Sequence, residues 1–263
     1  MLTEDILGWL REERPDRLQE LWQRADTIRR KEVGDAVHRR GLVEFSNRCA
    51  RQCLYCGLRA DNPAIERYRM TADEILACAH QSKKFGYGTL VMQSGEDPGL
   101  PVDWLADVIR RIKSEAGLVV TLSLGERPAE HVRVWREAGA DRYLIRFETA
   151  NPAHYQRIHP ALPGQASDRI AMLRLLLDIG FEVGSGILVG FPDQTLEDIA
   201  VDIQLMRSLK LDMIGVGPYV PHPDTPLSSA PDSQGWTPKR RENMAIKVIA
   251  LMRFLLPKVN MPS

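Results

Sequence analysis

The stretch LVEFSNRCARQCLYCGLR, residues 42–59, joins a short apolar run to three cysteines with C-x3-C-x2-C spacing. Its first residues, LVEF, have the length and composition of a buried β-strand. Cys49, Cys53 and Cys56 follow where such a strand would end. Ligands of parallel α/β folds bind at that end of the strands. The stretch therefore predicts a strand that leads directly into a metal-binding loop.

The rest of the chain alternates between strand-like and helical segments, with capping signals at Thr71–Glu74 and Thr195. The apolar runs are LVEF (42–45), TLVMQ (89–93), VVTLSL (119–124), RYLIRF (142–147), VGSGILVG (183–190) and MIGVGPYV (213–220). Such alternation is typical of βαβ units and a parallel sheet. We predict an α/β fold in which residues 41–263 form six βα units of an open or partial TIM barrel. Residues 1–40 form a helical N-terminal extension.

Composition limits the classes of partner. The chain has 263 residues, and its 35 Lys and Arg balance its 35 Asp and Glu. A net charge of zero gives no general attraction to nucleic acid or to an anionic membrane. No apolar run is long enough to span a bilayer, and the N-terminus does not resemble a secretory leader. We therefore expect a cytoplasmic protein that binds neither nucleic acid nor membrane.

The cysteine spacing favours an iron–sulfur cluster. Three of the four cysteines lie within eight residues, and three thiolates can hold a [4Fe–4S] cluster while one iron stays open. Structural zinc requires four ligands, usually from two C-x2-C pairs, and neither His38 nor His80 has ligand-like spacing. The remaining Cys78 lies in the helical pattern EILACAHQ, where a cysteine is usually a small hydrophobic residue.

Polar residues follow the predicted strands. The second strand ends in SGE (94–96), where glycine permits close approach and the carboxylate can accept from an ammonium group. Arg146 and Glu148 alternate with Phe147, so they suit either a zwitterionic ligand or each other as a salt bridge. Arg169, which opens the next helix, can pair with a carboxylate through two hydrogen bonds.

A C-x3-C-x-aromatic-C motif after the first strand of a βα barrel resembles the radical S-adenosylmethionine (SAM) superfamily. The resemblance implies that SAM binds the open iron and is reductively cleaved to a 5′-deoxyadenosyl radical. It places Tyr55 near the adenine, SGE near the methionine amino group and Met213 beside SAM. The residues predicted to bind SAM are Tyr55, Ser94, Gly95, Glu96, Arg146, Glu148, Arg169 and Met213.

A narrower resemblance extends over the chain from about Leu18. The segments YCGLR (55–59), RYRMT (67–71), QSGEDP (93–98) and EAGADRYLIRFETANP (137–152) are similar to the HydE family of [FeFe]-hydrogenase maturases. The resemblance implies a role in assembling the di-iron subcluster of the hydrogenase, with an iron–cysteine–carbonyl–cyanide complex as substrate. The other maturases and an electron donor are then the expected partners.

The same resemblance directs attention to the third and fourth strands. Thr121 and Ser123 alternate inward and can donate hydrogen bonds to an anionic complex, and Arg142 can pair with it; all three can equally satisfy strand-end groups. Position 147 holds phenylalanine where the family pattern has histidine. Family members also continue past Ser263 with the last two barrel strands, so this chain is expected to lack them.

Other interpretations remain open from the sequence. Biotin synthase-like and methylornithine synthase-like enzymes share the barrel and the cysteine motif. A non-catalytic iron–sulfur or zinc-binding scaffold protein is the alternative of another class. The segment PHPDTPL resembles a barrel-top loop near SAM, but Pro221, His222, Asp224 and Thr225 are also ordinary turn residues.

Overall fold

The computed structural model describes residues 3–261. Its six strands form one sheet in the order β1-β2-β3-β4-β5-β6, and the pairs from β1–β2 to β4–β5 are parallel. The strands are β1 (Gly41–Ser46), β2 (Thr89–Ser94), β3 (Val119–Ser123), β4 (Arg142–Leu144), β5 (Glu182–Val189) and β6 (Met213–Pro218). The predicted α/β fold with six βα units is confirmed.

Helices separate the strands, and two precede the first strand, where the sequence predicts a helical extension. They are α1 (Thr3–Arg11), α2 (Pro15–Glu32), α3 (Ala72–Lys84), α4 (Val102–Arg111), α5 (Ala129–Glu137), α6 (Pro152–Ile158), α7 (Arg169–Ile179), α8 (Leu196–Leu209) and α9 (Pro238–Leu255). Both predicted N-caps, Thr71 and Thr195, form complete capping boxes. None of the described helices is both long and apolar enough to cross a lipid bilayer.

The described residues fall into two compact units. The cysteine unit comprises residues 38–145 and 159–184, and the second unit comprises residues 3–37, 146–158 and 185–261. The boundaries predicted for the extension and the barrel are not tested by this division and stay a prediction.

The strands of the cysteine unit have one apolar and one polar face. Leu90, Val120, Leu122 and Tyr143 are fully buried on one face. On the opposite face, Val91 is paired with Thr121 and Thr121 with Arg142. The polar face also exposes Leu42, at 58% of its surface. Thr121, Ser123 and Arg142 therefore share one sheet face, and alternation along β3 predicts this for Thr121 and Ser123.

The second unit contains a close contact between its strands. A Cβ atom added to Gly186 of β5 would overlap the backbone of Gly215 in β6. Lys247 of α9 is buried and donates to the carbonyl oxygens of Leu10 (3.0 Å) and Glu12 (2.6 Å) at the end of α1. Met213 forms a parallel bridge with Asn260 beside β6.

The fourth strand is shorter than the sequence predicts. It ends at Leu144, whereas the apolar pattern extends it to position 147. The N–H of Ile145 donates to the carbonyl oxygen of Gly184, and the N–H of Glu148 donates to that of Gly186. The chain after β4 therefore advances three residues while β5 advances two. Glu148 takes up the difference with a left-handed backbone, φ 65°. Arg146 and Glu148 therefore lie beyond the regular strand, and their side chains still meet.

Candidate active site

The cysteine loop is held by backbone and side-chain hydrogen bonds. The Ala50 N–H donates to the carbonyl oxygen of Glu96 at 2.9 Å. The Arg67 guanidinium donates to three loop carbonyl oxygens, those of Asn47 (2.6 Å), Leu58 (2.9 Å) and Arg59 (2.6 Å). In a loop without regular secondary structure, carbonyl oxygens lack the hydrogen bonds that backbone N–H groups supply in helices and sheets. One arginine satisfies these three and fixes the loop.

Asp97 ties the loop to the ends of β1 and β2. It is almost fully buried and accepts hydrogen bonds from the Ser46 hydroxyl (2.9 Å) and from Arg69, whose Nε and Nη2 each lie 2.6 Å away. Burial would raise the pKa of Asp97, but the hydrogen bonds from Arg69 and Ser46 hold it below its usual value. The ionised carboxylate thus joins two strand ends and the segment after the cysteines.

Gly95 is the point at which β2 touches the cysteine loop. Its N–H donates to the carbonyl oxygen of Ser46 at 3.2 Å. An added Cβ would lie 2.7 Å from the Cys49 Cβ and 3.0 Å from the Arg48 carbonyl carbon, and it would overlap the Arg48 oxygen. Glycine is required here by the cysteine loop itself, a reason that the sequence did not reveal.

The three loop thiols are not crosslinked, and within residues 3–261 they do not belong to a compact set of three ligands. None of the four cysteines is joined in a disulfide. Metal ions are commonly bound by His nitrogens, Cys sulfurs and carboxylate oxygens. Among residues 3–261, one group brings three such atoms within 4.8 Å of one another, and it consists of Glu96, Glu126 and His159. Zinc, at about 2.3 Å from each sulfur, would hold the sulfurs about 4 Å apart. Cys78 lies in the middle of α3, outside the cysteine loop.

The thiols are in an environment of low polarity with a nearby cation. Cys53 is buried, and Cys49 and Cys56 are half-buried. Burial raises the pKa of the Cys53 thiol to about 12, and the positive charge of Arg169 opposes that rise. Iron binding requires the thiolate. Arg169 therefore favours the thiolate form of Cys53, against the effect of burial.

Beside the thiols lies a closed ring of alternating charges, which we call the charge ring. Arg51 forms ion pairs with Glu96 and with Glu126 (Nη2–Oε1 3.4 Å). Arg169 also pairs with Glu96 (Nη2–Oε1 3.2 Å) and with Glu126 (Nε–Oε1 3.5 Å). All four side chains are at most 14% exposed. The two guanidiniums lie between the carboxylates, so the charges are balanced without a metal ion.

His159 lies beside the charge ring, against Arg169. It is 1% exposed, and its Nε2 lies 2.7 Å from Nη2 of Arg169. Burial, together with the Arg169 and Arg51 guanidiniums, lowers the pKa of His159 from 6.5 to about 3. The ring of His159 is therefore neutral near pH 7, and it can accept a hydrogen bond from Arg169.

A cavity of about 730 Å³ opens at the charge ring, within the range of ~300–1,000 Å³ typical of small-molecule sites. Arg51, Glu96 and Glu126 line its polar side, and Met172 and Leu175 of α7 line its apolar side. It is thus a pocket with a few convergent charges and an apolar wall.

The sequence identified only part of this site. Glu96 and Arg169 were predicted, and the structure brings them together beside Cys53. Arg51, Glu126 and His159 were missed. Glu126 follows the third strand as Glu96 follows the second, so the rule that ligands lie at strand ends could have found it. Nothing in the local sequence of His159 marks it.

Other predicted residues of the cysteine unit occupy varied surroundings. Tyr55 is half-buried in the cysteine loop, and the Ser94 hydroxyl donates to the Gly95 carbonyl oxygen at 2.7 Å. Thr121 is 2% exposed, and its Oγ1 has no hydrogen-bond partner within the described part of the chain. Ser123 ends β3, half-buried. Arg142 pairs with Glu182 and lies 3.3 Å from Thr89 Oγ1. Their roles stay predictions.

Three predicted SAM contacts lie in the second unit. Arg146 and Glu148 form the salt bridge that the sequence offered as one alternative, with Nε–Oε2 at 3.2 Å. Met213 is 2% exposed at the first position of β6, a core position. The 221–225 loop is held by its own turn hydrogen bonds, such as Thr225 Oγ1 to the His222 carbonyl oxygen at 2.7 Å. SAM contacts at these positions stay predictions.

The buried His159 predicts acid sensitivity. Between its ordinary pKa of 6.5 and about 3, the unfolded chain binds a proton at this ring and the folded chain does not. Stability therefore falls as the pH drops below about 6.5, by at most about 1.4 kcal/mol per pH unit from this group. His159→Gln should show a smaller fall in the free energy of unfolding between pH 7 and pH 5, measured by urea unfolding. The exposed His38→Gln is the matched control, and equal pH slopes in the two variants would contradict the prediction.

Comparison with known proteins gives consistent matches. The sequence profile of the radical SAM superfamily matches residues 43–206. Over 243 residues, the chain is 46% identical to the [FeFe] hydrogenase maturase subunit HydE of Thermotoga maritima, covering 92% of this chain and 67% of that protein. Members of the superfamily use a [4Fe–4S] cluster and SAM, and cluster ligation by the three loop cysteines stays a prediction.

Solved structures match the whole fold. The crystal structure of methylornithine synthase (PylB) has a TM-score of 0.89 and 26% identity, covering 99% of this chain and 75% of that chain. The crystal structure of HydG, a maturase of the [FeFe]-hydrogenase, has a TM-score of 0.82 and 22% identity, covering 99% and 59%. The second match concerns the fold alone.

Proposed function

Because this chain belongs to the radical SAM superfamily and, within it, to the family of the [FeFe]-hydrogenase maturase HydE, we propose that its substrate is a small iron complex carrying cysteine, carbon monoxide and cyanide. The chain is a radical SAM enzyme that uses reductive cleavage of SAM. The observation that carries the choice of substrate is the 46% identity to HydE across 92% of the chain.

We propose that the cysteine unit holds the cofactors as follows. Cys49, Cys53 and Cys56 would ligate the [4Fe–4S] cluster, which together with SAM supplies the one-electron reduction and the radical. Glu96 would accept hydrogen bonds from the ammonium of SAM, and Arg169 would donate to its carboxylate. The charge ring supports this assignment, because its Glu96 carboxylate and Arg169 guanidinium lie next to each other and close to Cys53.

The polar sheet face of the cysteine unit suits an anionic substrate. Thr121 offers a buried hydroxyl that has no partner among the described residues. Such a group costs free energy unless a ligand or water satisfies it. Arg142 lies at the paired position of β4 on the same face, where it forms an ion pair with Glu182. We propose that Thr121, Ser123 and Arg142 contact the substrate.

Related reactions are the main competitors. A methylornithine synthase-like activity is less favoured, because the identity to that enzyme is 26% against 46% to HydE. A biotin synthase-like activity uses the same cysteine motif. Membership of an enzyme superfamily argues against a non-catalytic scaffold. We further propose that the other hydrogenase maturases and a one-electron donor are the partners.

Substrate-dependent SAM cleavage tests the proposal. Anaerobically reconstituted protein is given reductant, SAM and one of three candidates: the iron–cysteine–carbonyl–cyanide complex, dethiobiotin or lysine. We expect the iron complex to stimulate 5′-deoxyadenosine formation at least ten-fold over the rate without substrate. Because Thr121 is a proposed substrate contact, Thr121→Val should reduce the stimulation of 5′-deoxyadenosine formation by the iron complex. The affinity for SAM should stay unchanged. Product formation from dethiobiotin or lysine would refute the substrate assignment.

A further inference from the structure

The hydrogen bonds around His159 run in one direction. Arg169 can only donate, so Nε2 of His159, 2.7 Å from Arg169 Nη2, accepts. A neutral imidazole then carries its proton on Nδ1. The Ser167 hydroxyl donates to Glu126 at 2.6 Å, so its oxygen can accept from Nδ1, which lies 3.4 Å away. The sequence of donors is Arg169 to His159 to Ser167 to Glu126.

This chain of bonds sets the orientation of the Arg169 guanidinium. Its Nη2 faces both His159 and Glu96, and its Nε faces Glu126 at 3.5 Å. Because a guanidinium is planar, two fixed directions fix the plane of the group. Arg169 is only 10% exposed, so most of its surface faces protein groups.

The need for His159 arises when a zwitterion binds. In the proposed function, Glu96 turns to the ammonium group of SAM, and it can then no longer hold Arg169 alone. His159 bears no charge, so it does not compete for either end of the zwitterion. It remains on Nη2 as the acceptor that keeps the guanidinium aimed at the carboxylate.

We propose that His159 is a positioning residue for Arg169, holding its guanidinium in the orientation that receives the carboxylate of SAM. The inference rests on the proposed function. In this assignment His159 is not a ligand of the cluster or of SAM, and it acts on the carboxylate of SAM through Arg169. The role requires an acceptor at the Nε2 position and does not require a titrating group.

Two amide substitutions of His159 test whether the position of the hydrogen-bond acceptor matters, because both side chains are polar. Gln at position 159 places its carbonyl oxygen where Nε2 lies, whereas Asn places it one bond short, near Nδ1. On iron-loaded protein, His159→Asn should weaken SAM binding about ten-fold, the loss of one charge-assisted hydrogen bond, while His159→Gln should stay within about three-fold of the parent chain. SAM affinity is measured by equilibrium dialysis, and iron content is measured in parallel.

A SAM analogue without the carboxylate identifies the mechanism. Decarboxylated SAM keeps the ammonium group, so His159→Asn should leave its affinity within about two-fold of that of the parent chain. A merely structural defect would weaken both ligands equally, and that result would overturn the proposal. Equal SAM affinity of the Asn and Gln variants would overturn it as well.

A second variant guards against poor folding. If His159→Asn loads too little iron, His159→Phe replaces it, because phenylalanine keeps the volume of the side chain without any acceptor. His159→Phe should show the same selective loss of affinity for SAM. Unchanged SAM affinity would again overturn the proposal. Failure of the proposed function is a separate result, because the parent chain would then bind no SAM even with its full iron content.

Discussion

Replacing Cys53 with serine is expected to abolish cluster binding. Cys53 is the buried member of the three thiols and the middle cysteine of the C-x3-C-x2-C loop, whose three cysteines are the proposed ligands. Two remaining thiolates cannot hold a cubane cluster, so iron should fall from about four atoms per chain to below one. The measurement is iron and sulfide content with the visible absorption spectrum after anaerobic reconstitution.

Cys78→Ser is the matched control for this substitution. Cys78 is half-buried on α3, away from the cysteine loop in sequence and in secondary structure. Its variant should load as much iron as the parent chain. Cluster loss in Cys78→Ser, or full loading in Cys53→Ser, would show that the ligands are misassigned.

The second large effect is expected from Gly95→Ala. The new methyl group would lie 2.7 Å from the Cys49 Cβ and would overlap the Arg48 carbonyl oxygen. Both neighbours belong to a loop that Arg67 and Asp97 hold in place, so the strain falls on the cysteine loop. We expect a loss of most iron loading and a destabilisation of about 1–3 kcal/mol.

Gly88→Ala, at the other end of β2, is the control for Gly95→Ala. A Cβ added to Gly88 has no heavy atom within 4 Å. This variant should fold and load iron like the parent chain, as measured by circular dichroism, urea unfolding and iron content. Normal loading of Gly95→Ala would contradict the described contact between β2 and the cysteine loop.

The positions of the strands were predictable because the signals are local. Apolar runs such as TLVMQ (89–93) and capping residues such as Thr71 act within a few residues of themselves. The end of β4 was not predictable in this way. The left-handed backbone of Glu148 follows from hydrogen bonds to Gly186 of another strand, and alternation along the sequence contains no sign of it.

In the candidate site, too, local signals were predictable and long-range contacts were not. The spacing of the cysteines predicts their role, and the position of Glu96 at a strand end predicts that it belongs to the site. The charge ring joins residues that are far apart in sequence, with Arg51 paired to Glu96 and Glu126 paired to Arg169. Which of several strand-end charges meet is decided by three-dimensional packing. The sequence therefore predicts the site's chemistry but not the ring or His159.

Family membership and site geometry together limit the function. The superfamily match indicates a radical SAM enzyme, and we propose that the charge ring binds both charged ends of SAM. The identity to HydE narrows the proposed substrate to an iron complex. Each step depends on the cluster being bound by the three cysteines and on SAM reaching it.

Electron paramagnetic resonance of the reduced, reconstituted protein with and without SAM tests this dependence most directly. We predict the signal of a reduced [4Fe–4S] cluster whose shape changes when SAM is added, because SAM binds the open iron. The Cys53→Ser variant should give no such signal. A colourless zinc-loaded protein, or a cluster signal that SAM leaves unchanged, would contradict the central claim.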